Sequence, residues 1–358
     1  MISLTLFLFG RCFHLHTNRA WKIKGNGGKL HNLNSHRFFI DHQCASCGWS
    51  FEDIPDRSSI KTLDDYKVFW HKQIKEKHWK MKWNNQGVHQ LFDNIKKGDF
   101  LWTRDSGEYF VAEITDDPKN LFYFDTSLEA TDNDCSAQLK NIEWVKVGKE
   151  DSVPGSVSFY PGFGSLVRID SHEETINQAC PYTPTSLFSA LCLKPSQNLM
   201  KKHKITNKME FFHLIGYAAA EDLVALWLYD RFGYVTIPST NKISTEKYEF
   251  ALVDTSIDDS GKYINHKKIY IQVKNGNVNL NTNDYSSLLL ENEEIWLIST
   301  LGTIDNKKSS NRIERLFRKS SNISIEKYDI NELLNFVFDK NKQKILPTSI
   351  TQWIPLFL

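Results

Sequence analysis

The second half of the chain contains one long apolar helix pattern followed by three short apolar strand patterns. Residues 209–232 are predominantly apolar over a helical length, and Gly233 follows them as a helix-ending residue. The runs at 248–254, 269–274 and 294–300 have strand character and are separated by polar segments. Helix, strand, hairpin, strand and further helix in this order predict a domain of α/β class.

The first half follows a different pattern, in which two helix patterns precede a series of short strands. Residues 64–80 are amphipathic at helical spacing, and residues 86–96 form a shorter helix pattern that ends near Gly98. From Asp99 onward the apolar residues recur at a period of two. We therefore expect a chain of α+β or α/β class whose first domain is a small β-barrel with helices over 21–165. The predicted strands are 100–103, 109–114, 121–124, 142–147 and 155–159.

The segment between the two halves has the composition of a connector. Residues 170–205 contain Pro181, Pro184 and Pro195 and show little periodicity. A chain of 358 residues has room for more than one domain of about 100–200 residues. The predicted organisation is an N-terminal extension at 1–20, a first domain at 21–165, a linker at 166–204 and a second domain at 205–358.

Composition restricts the cellular setting and the kind of partner. The chain has 44 lysine and arginine residues against 43 acidic residues, so a nucleic-acid-binding surface must be a local patch. No stretch approaches the ~20 apolar residues that cross a bilayer, and the apolar residues 2–10 lack the flanking residues of a signal peptide. Six scattered cysteines indicate reduced thiols, and we expect a cytoplasmic protein without a membrane partner.

A zinc site is the alternative that the cysteines leave open. Cys44 and Cys47 form a Cys-x-x-Cys pair, but no second such pair or histidine pair follows at zinc-finger spacing. The potential ligands near this pair in sequence are His42 and, further upstream, Cys12, His14 and His16. We expect no zinc.

One short strand places two polar side chains on the same face. Within residues 269–274, Gln272 and Lys274 are two positions apart, while the residues between and before them are apolar. Side chains alternate between the faces of a strand, so these two point the same way. A lysine at the end of an apolar strand loses hydration unless it has a partner or a function.

Two carboxylates on neighbouring elements complete a candidate cation site. Glu249 begins the preceding strand pattern, and Glu221 lies among small and apolar residues of the long helix. Carboxylate oxygens suit Mg²⁺, which keeps several waters and is usually held by one or two carboxylates. Such an ion stabilises charge on a phosphate and lowers the pKa of a bound water. The ordinary alternative is a set of solvated glutamates and a lysine whose stem lies along apolar surface.

Together, Glu221, Glu249, Gln272 and Lys274 resemble the PD-(D/E)XK nuclease pattern, in the Gln-x-Lys variant of Mrr-like restriction nucleases. The resemblance covers 205–345. It implies a restriction-endonuclease-like mixed sheet flanked by helices and Mg²⁺-dependent cleavage of phosphodiesters, with Mn²⁺ as a substitute. It also implies that these four residues are catalytic. Glu249 would bind the metal, Glu221 would support the metal or its water, and Lys274 would be the catalytic lysine.

The sequence departs from that family pattern at two positions. Gln272 stands where many members have an acid, and Glu249 replaces the more common aspartate. Asp254, on the opposite face of the same strand pattern, is a rival metal ligand. Strand alternation favours Glu249 if it shares a face with the site, and a bulge would reverse that preference. Lys242 is a further candidate for a phosphate contact.

A lysine-rich stretch in the first half is a candidate DNA-binding surface. Residues 67–97 contain eight lysines and two acidic residues. Lysines contact phosphates without reading the base sequence, and aromatic rings stack on bases. We take the interleaved tryptophans to be core residues, since large aromatics at helical spacing usually pack. The candidate DNA-binding lysines here are Lys72, Lys75, Lys80 and Lys82.

The order of segments in the first half resembles EVE-type domains of the PUA-like superfamily, over residues 21–165. Members of that group bind nucleic acid and can hold a flipped, modified base in an aromatic pocket. The resemblance makes Trp49 and Trp102 candidates for that pocket, with packing in the domain core as the alternative. The residues that carry it are Trp21-Lys22-Ile23, Cys47-Gly48-Trp49, the run from Lys97 to Trp102 and the run from Val153 to Val157.

These features predict an Mg²⁺-dependent endonuclease that cleaves double-stranded DNA. With a modified cytosine as the recognised base, it would act as a modification-dependent restriction enzyme in anti-phage defence. One active site cuts one strand at a time, so double-strand cleavage implies a homodimer. The alternatives are a nucleic-acid-binding protein with a degenerate nuclease fold and a structure-specific or RNA-directed nuclease.

Overall fold

The computed structural model describes most of the chain and shows a mixed α+β protein. Among the described residues the strands form three sheets, and none of these sheets closes into a barrel. No helix in the described ranges has the length and apolar character needed to span a bilayer. The described ranges are 18–25, 34–51, 54–159, 165–169, 182–242, 248–264, 267–307, 309–319 and 322–358, so most of the predicted N-terminal extension lies outside them.

The first half contains two separate sheets in place of the predicted closed barrel. In the larger sheet the strand order is β7-β4-β3-β1-β8, and β1 pairs with β3 in parallel and with β8 antiparallel. Its two edge strands, β7 and β8, are not hydrogen-bonded to each other in the described ranges, so the sheet stays open. The strands are β1 Ala20–Ile23, β2 Cys44–Ser46, β3 Phe100–Asp105, β4 Glu108–Glu113, β5 Phe122–Phe124, β6 Ala137–Lys140, β7 Val145–Gly148 and β8 Leu166–Arg168, with β2-β6-β5 forming the smaller sheet.

The helices of the first half are short except for α2. The predicted amphipathic helix is present as α2, which begins at a capping box between Thr62 and Asp65. The predicted strand at 155–159 is wrong, because the amides of Val157 and Ser158 both donate to the carbonyl of Pro154 and close a helical turn. The helices are α1 Ser35–Asp41, α2 Leu63–Glu76, α3 Gly87–His89, which continues into a π-helical turn at Gln90–Asn94, α4 Pro118–Leu121, α5 Leu128–Asp132 and α6 Gly155–Ser158.

The predicted linker region contains regular structure that packs on both halves. Two helices follow β8, namely α7 Pro184–Leu193 and α8 Gln197–Lys202. On α7, Phe188 stacks with Trp102 of the first half at 6.3 Å between ring centroids and meets Trp353 of the second half at 5.0 Å. Residues 170–181 of this region lie outside the described ranges.

The second half is built on one mixed sheet of six strands. Its order is β14-β13-β12-β11-β10-β9, in which β11 and β12 are parallel and the other pairs are antiparallel. The long predicted helix is interrupted near Gly216 and divides into α9 and α10. The elements are α9 Phe211–Leu214, α10 Tyr217–Phe232, β9 Tyr234–Thr236, β10 Phe250–Asp254, β11 Lys268–Lys274, α11 Thr282–Ser286, β12 Glu293–Ser299, β13 Ile313–Lys319, β14 Asn322–Tyr328, α12 Asn331–Phe338 and α13 Thr348–Thr351.

Apolar side chains cover both faces of this sheet. On one face, Ile271 and Val273 of β11 pack with α10 and α12 in the larger core. On the other face, Leu297 of β12 packs with Leu289 and with Tyr285 of α11 in a smaller core. Because side chains alternate along β11, Gln272 and Lys274 belong to the α11 face.

Candidate active site

The pairing of β10 with β11 places Glu249 next to Gln272. Phe250 is the register partner of Ile271, and the backbone N–H of Glu249 donates to the carbonyl of Ile271 at 2.8 Å. This bond is one residue out of register with the Phe250–Ile271 pair, so the ladder is irregular immediately before β10. The Glu249 side chain nevertheless reaches Gln272, whose amide donates to it at 3.0 Å. Lys274 lies two residues further along β11, on the same face as Gln272, at the end of the strand.

Both polar side chains of β11 donate to one carboxylate oxygen. Glu249 Oε1 accepts from Gln272 Nε2 at 3.0 Å and from Lys274 Nζ at 2.8 Å. The side chain of Glu249 is 19% exposed and that of Lys274 is 35% exposed, so this ion pair sits at the edge of the buried region. The second oxygen, Oε2, accepts no hydrogen bond from the residues described here, which leaves it available to an additional ligand.

Gln272 supplies a buried oxygen that lacks a protein donor. Its side chain is 1% exposed, and its Oε1 has no hydrogen-bond partner in the described part of the chain. A buried amide oxygen normally has a partner, since an unsatisfied acceptor is unfavourable. A water that donates to this oxygen, or a cation that it coordinates, would therefore supply the missing partner.

Glu221 lies within electrostatic range of the same group. It belongs to α10, and its pKa is raised to about 7 by burial and then by the negative charges of Glu249 and Asp222, while Lys274 acts in the opposite direction. A carboxylate whose ionisation is opposed by neighbouring carboxylates lies in a region of negative potential. A divalent cation would relieve this repulsion.

The end of β11 also fixes the start of α10. Asn275 follows Lys274 directly, and its side-chain amide donates to the carbonyls of Phe212 at 3.1 Å and Ile215 at 2.7 Å. These two carbonyls lie in α9 and in the break before α10. Asn275 therefore connects the helix that carries Glu221 to the strand that carries Lys274.

The oxygen atoms present fit Mg²⁺ better than a metal that needs nitrogen or sulfur. The described residues contain no group of three His, Cys, Asp or Glu side chains arranged around a metal position. Glu221, Glu249 and the amide oxygen of Gln272 offer two carboxylates and one neutral oxygen. Magnesium is commonly held by one or two carboxylates, with waters and substrate phosphates completing its shell.

The structure does not bring Asp254 to this group. Asp254 is at the other end of β10, five residues from Glu249, which is about 17 Å along an extended strand. It pairs with Tyr234 of β9, and its Oδ1 accepts from the backbone N–H and hydroxyl of Ser256 at 2.9 Å and 2.6 Å. The prediction that Asp254 is a rival metal ligand is therefore wrong. Lys242 ends a short 3₁₀ turn, and its side chain lies outside the described atoms.

The predicted DNA-binding lysines of the first half are on the surface. Lys72 and Lys75 lie on exposed positions of α2, and Lys80 and Lys82 follow that helix. Lys72 is 3.9 Å from Glu76 one turn away, a distance at which an exposed ion pair contributes little. The positive charge of this surface is therefore available to a polyanion.

The two tryptophans predicted to form a base pocket are not together. Trp102 is 0% exposed, donates to Ser189 Oγ at 2.8 Å and belongs to the core between the larger sheet and α7. It presents no surface to a base, so its assignment to a pocket is wrong. Trp49 is partly exposed and packs on a different core, against Trp70 at 5.6 Å between ring centroids.

Cys44 and Cys47 are buried free thiols. Burial raises the pKa of the Cys44 thiol to about 12 and raises that of Cys47 further. Both are therefore protonated at neutral pH, whereas a metal ligand is a thiolate. Cys12 lies outside the described residues.

Tyr285 is a residue near the site that the sequence patterns did not identify. It is in α11, on the sheet face that carries Gln272, and its ring is 8% exposed within the smaller core. Its pKa is raised by burial and then by the charges of Asp284 and Glu249, which places its hydroxyl in the field of the candidate site. The only sequence signal that could have indicated it is its position, as a tyrosine in the polar segment between two apolar strand patterns.

A comparison of this chain with known protein families, with curated proteins and with solved structures finds no match. The geometry of the site therefore carries the functional argument. Its elements are a carboxylate held by a lysine and a glutamine, a second carboxylate with a raised pKa, and a buried amide oxygen without a donor.

Proposed function

We propose that this chain is an Mg²⁺-dependent endonuclease that cleaves DNA, with its active site at Glu221, Glu249, Gln272 and Lys274. The observation that carries the proposal is the shared hydrogen bonding of Glu249 Oε1 to Gln272 and Lys274 beside a second carboxylate. This combination of one lysine and two acids on three elements is what the PD-(D/E)XK resemblance implies. A cation site and a positive side chain are groups that stabilise the charge developed during phosphodiester hydrolysis.

The arrangement of elements also supports this proposal. Helix α10 comes first, the antiparallel strands β9, β10 and β11 follow, and after α11 the chain returns as β12 parallel to β11. Such a mixed sheet with helices on its faces is the fold that the resemblance implies. The candidate residues lie at one end of β11 and on α10, and the Lys274 side chain there is 35% exposed.

Each side chain has a defined task in this proposal. Glu249, Glu221 and the Gln272 oxygen would hold Mg²⁺, which when bound lowers the pKa of a water and neutralises phosphate charge. Lys274 holds the Glu249 carboxylate in place and offsets negative charge that develops on the phosphate. Glu221, whose pKa is about 7 without a metal, can take up or release a proton near neutral pH.

We propose that the first half binds DNA and so brings the active site to its substrate. The preferred substrate is duplex DNA that carries a modified cytosine. The exposed lysines on and after α2 supply the phosphate contacts. Of the two tryptophans predicted to contact the base, Trp49 is the one that remains in this proposal, because Trp102 is buried. In this form the protein would act as a modification-dependent restriction enzyme in anti-phage defence, with a homodimer cutting both strands.

The decisive experiment incubates the purified chain with plasmids that carry unmodified, methylated, hydroxymethylated or glucosylated cytosine, in Mg²⁺ or in EDTA. We expect nicking in Mg²⁺ only, with a preference for one modified plasmid. Lys274→Ala and Glu249→Ala should abolish nicking and retain binding in a gel shift. Asp254→Ala, a matched acid removal at the distant end of β10, should cut normally. Unchanged nicking in both active-site variants would contradict the proposal.

Two other functions remain as outcomes of the same experiment. Gln272 in place of an acid lowers the negative charge at the site, which is the observation that favours a degenerate nuclease fold. Such a protein would bind modified DNA without cutting any substrate. Cleavage of RNA or of branched DNA regardless of cytosine modification would instead identify an RNA-directed or structure-specific nuclease.

A further inference from the structure

The indole of Trp79 is exposed although its backbone is held in place. Trp79 is 42% exposed and lies just after the C-terminal end of α2. The N–H of Trp79 donates to the carbonyl of Ile74 at 3.0 Å, and that of His78 donates to Lys75 at 3.2 Å. His78 has a left-handed φ of 54°, as in the turn that ends many helices. The position of Trp79 is therefore set by the helix end and is not that of a loose loop.

A series of aromatic rings supports Trp79 from the protein side. Its ring lies 5.8 Å from that of Trp49 between centroids, at an interplanar angle of 57°. Trp49 in turn meets the buried Trp70 at 5.6 Å and 71°. Trp79 is the exposed end of this series, so part of its ring surface packs on protein and part faces solvent.

The backbone beneath Trp79 is in an unfavourable conformation. Trp49 has φ of 67° and Phe51 has φ of 50°, values that large aromatic residues rarely adopt. The residue between them, Ser50, is anchored by its N–H to Asp134 Oδ1 at 2.9 Å and by its Oγ to the N–H of Ser136 at 3.1 Å. Strain of this kind persists only where surrounding contacts impose it, and it concentrates at binding sites.

Positive charge surrounds the exposed ring. Residues 71–82 contain five lysines and a single acid, Glu76, although the whole chain has a net charge of only +1. Lys77 Nζ lies 5.1 Å from the centroid of the Trp79 ring. Lys80 and Lys82, which follow Trp79, are exposed. A flat aromatic face among lysines is complementary to a phosphate backbone with an accessible base.

From these observations we infer that Trp79, with Lys77, Lys80 and Lys82, is a stacking platform for single-stranded nucleic acid. Only an unpaired base offers its face to an aromatic ring, since the bases of a duplex are stacked on one another. An extruded base is instead enclosed in a snug pocket, whereas Trp79 stands at a helix end with exposed residues before and after it. This platform needs no metal and does not rest on the nuclease chemistry proposed above.

The test measures binding of the full chain in EDTA, so that cleavage plays no part. The probe is a fluorescent oligothymidine of about 15 nucleotides, compared with a duplex of the same length by fluorescence anisotropy. Wild type should bind both probes, because the same lysines are proposed to contact duplex phosphates, and only single-strand binding should depend on the Trp79 ring. Trp79→Ala should weaken single-strand binding at least about fivefold, the lower end of what one stacked base contributes. Tyr229→Ala, which removes an aromatic residue that is 54% exposed in the other half, should bind as wild type does.

Two further variants separate stacking from packing. Trp79→Leu keeps an apolar side chain against Trp49 but has no aromatic face, whereas Trp79→Phe keeps both. We expect Trp79→Phe to retain most of the affinity and Trp79→Leu to lose as much as Trp79→Ala. Equal affinities of the Phe and Leu variants would overturn the inference, even where Trp79→Ala folds poorly.

The salt dependence gives an independent readout. Lys80→Ala and Lys82→Ala should each reduce the slope of log affinity against log salt by about 0.7, as expected for one phosphate contact on a single strand. Trp79→Leu should lower the affinity and leave that slope unchanged. A slope that no lysine substitution alters, or a Trp79→Ala variant that loses as much affinity for the duplex as for the single strand, would contradict the platform.

Discussion

Lys274 Nζ donates to Glu249 Oε1 at 2.8 Å, although the two residues are separated by 25 positions and lie on adjacent antiparallel strands. The same oxygen accepts from Gln272, so a single atom of Glu249 receives both donors. Its other oxygen, Oε2, accepts no hydrogen bond from the described residues. In the proposed function, this relationship would align a carboxylate for a cation and keep a lysine beside the substrate phosphate.

The first prediction concerns the rate of cleavage. Lys274→Met keeps the length of the side chain and removes its charge, so it should lower the single-turnover rate by about 10²–10³, as for the loss of one donor to developing charge. The affinity for DNA in EDTA should change little. Lys268→Met, at the exposed other end of β11, is the matched control and should cut at the wild-type rate. Equal rates for the two variants would exclude a catalytic role for Lys274.

The second prediction concerns the pH dependence of stability. The pKa of Glu221 is about 7 in the folded chain, above its ordinary value of 4.5, so the folded state holds this proton more tightly. Stability should therefore fall as pH rises from about 4.5 to 7, where the unfolded chain has already lost the proton. Glu221→Gln cannot ionise and should be more stable than wild type at pH 8 but not at pH 4, in urea unfolding without metal.

The control for this prediction is Glu143→Gln, at an exposed position of the first half. It should show no gain that appears with rising pH. If Glu221→Gln had the same stability as wild type at every pH, the surroundings of Glu221 would not disfavour its ionised form.

The third prediction concerns stabilisation by Mg²⁺ alone. Binding to the folded chain at 100 times the dissociation constant adds about 2.7 kcal/mol to the free energy of unfolding. The melting temperature should rise with Mg²⁺ at pH 8 and rise less at pH 5.5, because protons compete for Glu221. Glu249→Gln should remove most of this rise, and Asp254→Asn should retain it. An equal rise in all three proteins would place the bound ion elsewhere.

The fourth prediction concerns the stability of the chain when the amide of Gln272 is replaced by a carboxylate. Gln272→Glu places a buried carboxylate beside Glu249, which in EDTA should destabilise the chain by about 1–3 kcal/mol. Saturating Mg²⁺ should recover much of that loss, since the added charge faces the ion. Gln272→Met, which has similar volume and no charge, should show no such recovery. If Mg²⁺ stabilised both variants equally, the Gln272 side chain would not face the ion.

Strand periodicity was sufficient to predict which side chains share a face, but not how the strands pair. Gln272 and Lys274 point the same way because they are two residues apart on β11. The placement of Glu249 beside Gln272 depends on how β10 pairs with β11, and the segment between those strands does not reveal that pairing. Asp254 is a rival by residue type, because aspartate is the more common acid in the family pattern, but it lies at the other end of β10.

Burial was the least predictable property, because it depends on elements distant in sequence. Trp102 has the alternating neighbours of any half-buried strand residue, yet Phe188 of α7 covers its ring. Trp79 shows the reverse, since its helical spacing predicts a core position and the end of α2 at Glu76 leaves it exposed. The turn at 155–159 has an alternating pattern too short to outweigh the local hydrogen bonds to Pro154.

The most direct test of the site replaces Mg²⁺ with Fe²⁺ and maps where hydroxyl radicals, generated from peroxide and ascorbate, cut the polypeptide around the bound ion. We expect cuts close to Glu221, Glu249 and Gln272 in one sample of the protein. Excess Mg²⁺ should suppress these cuts, and Glu249→Gln should show none of them. Cuts near only one of these residues, or cuts that persist in Glu249→Gln, would contradict a single divalent-ion site formed by α10, β10 and β11.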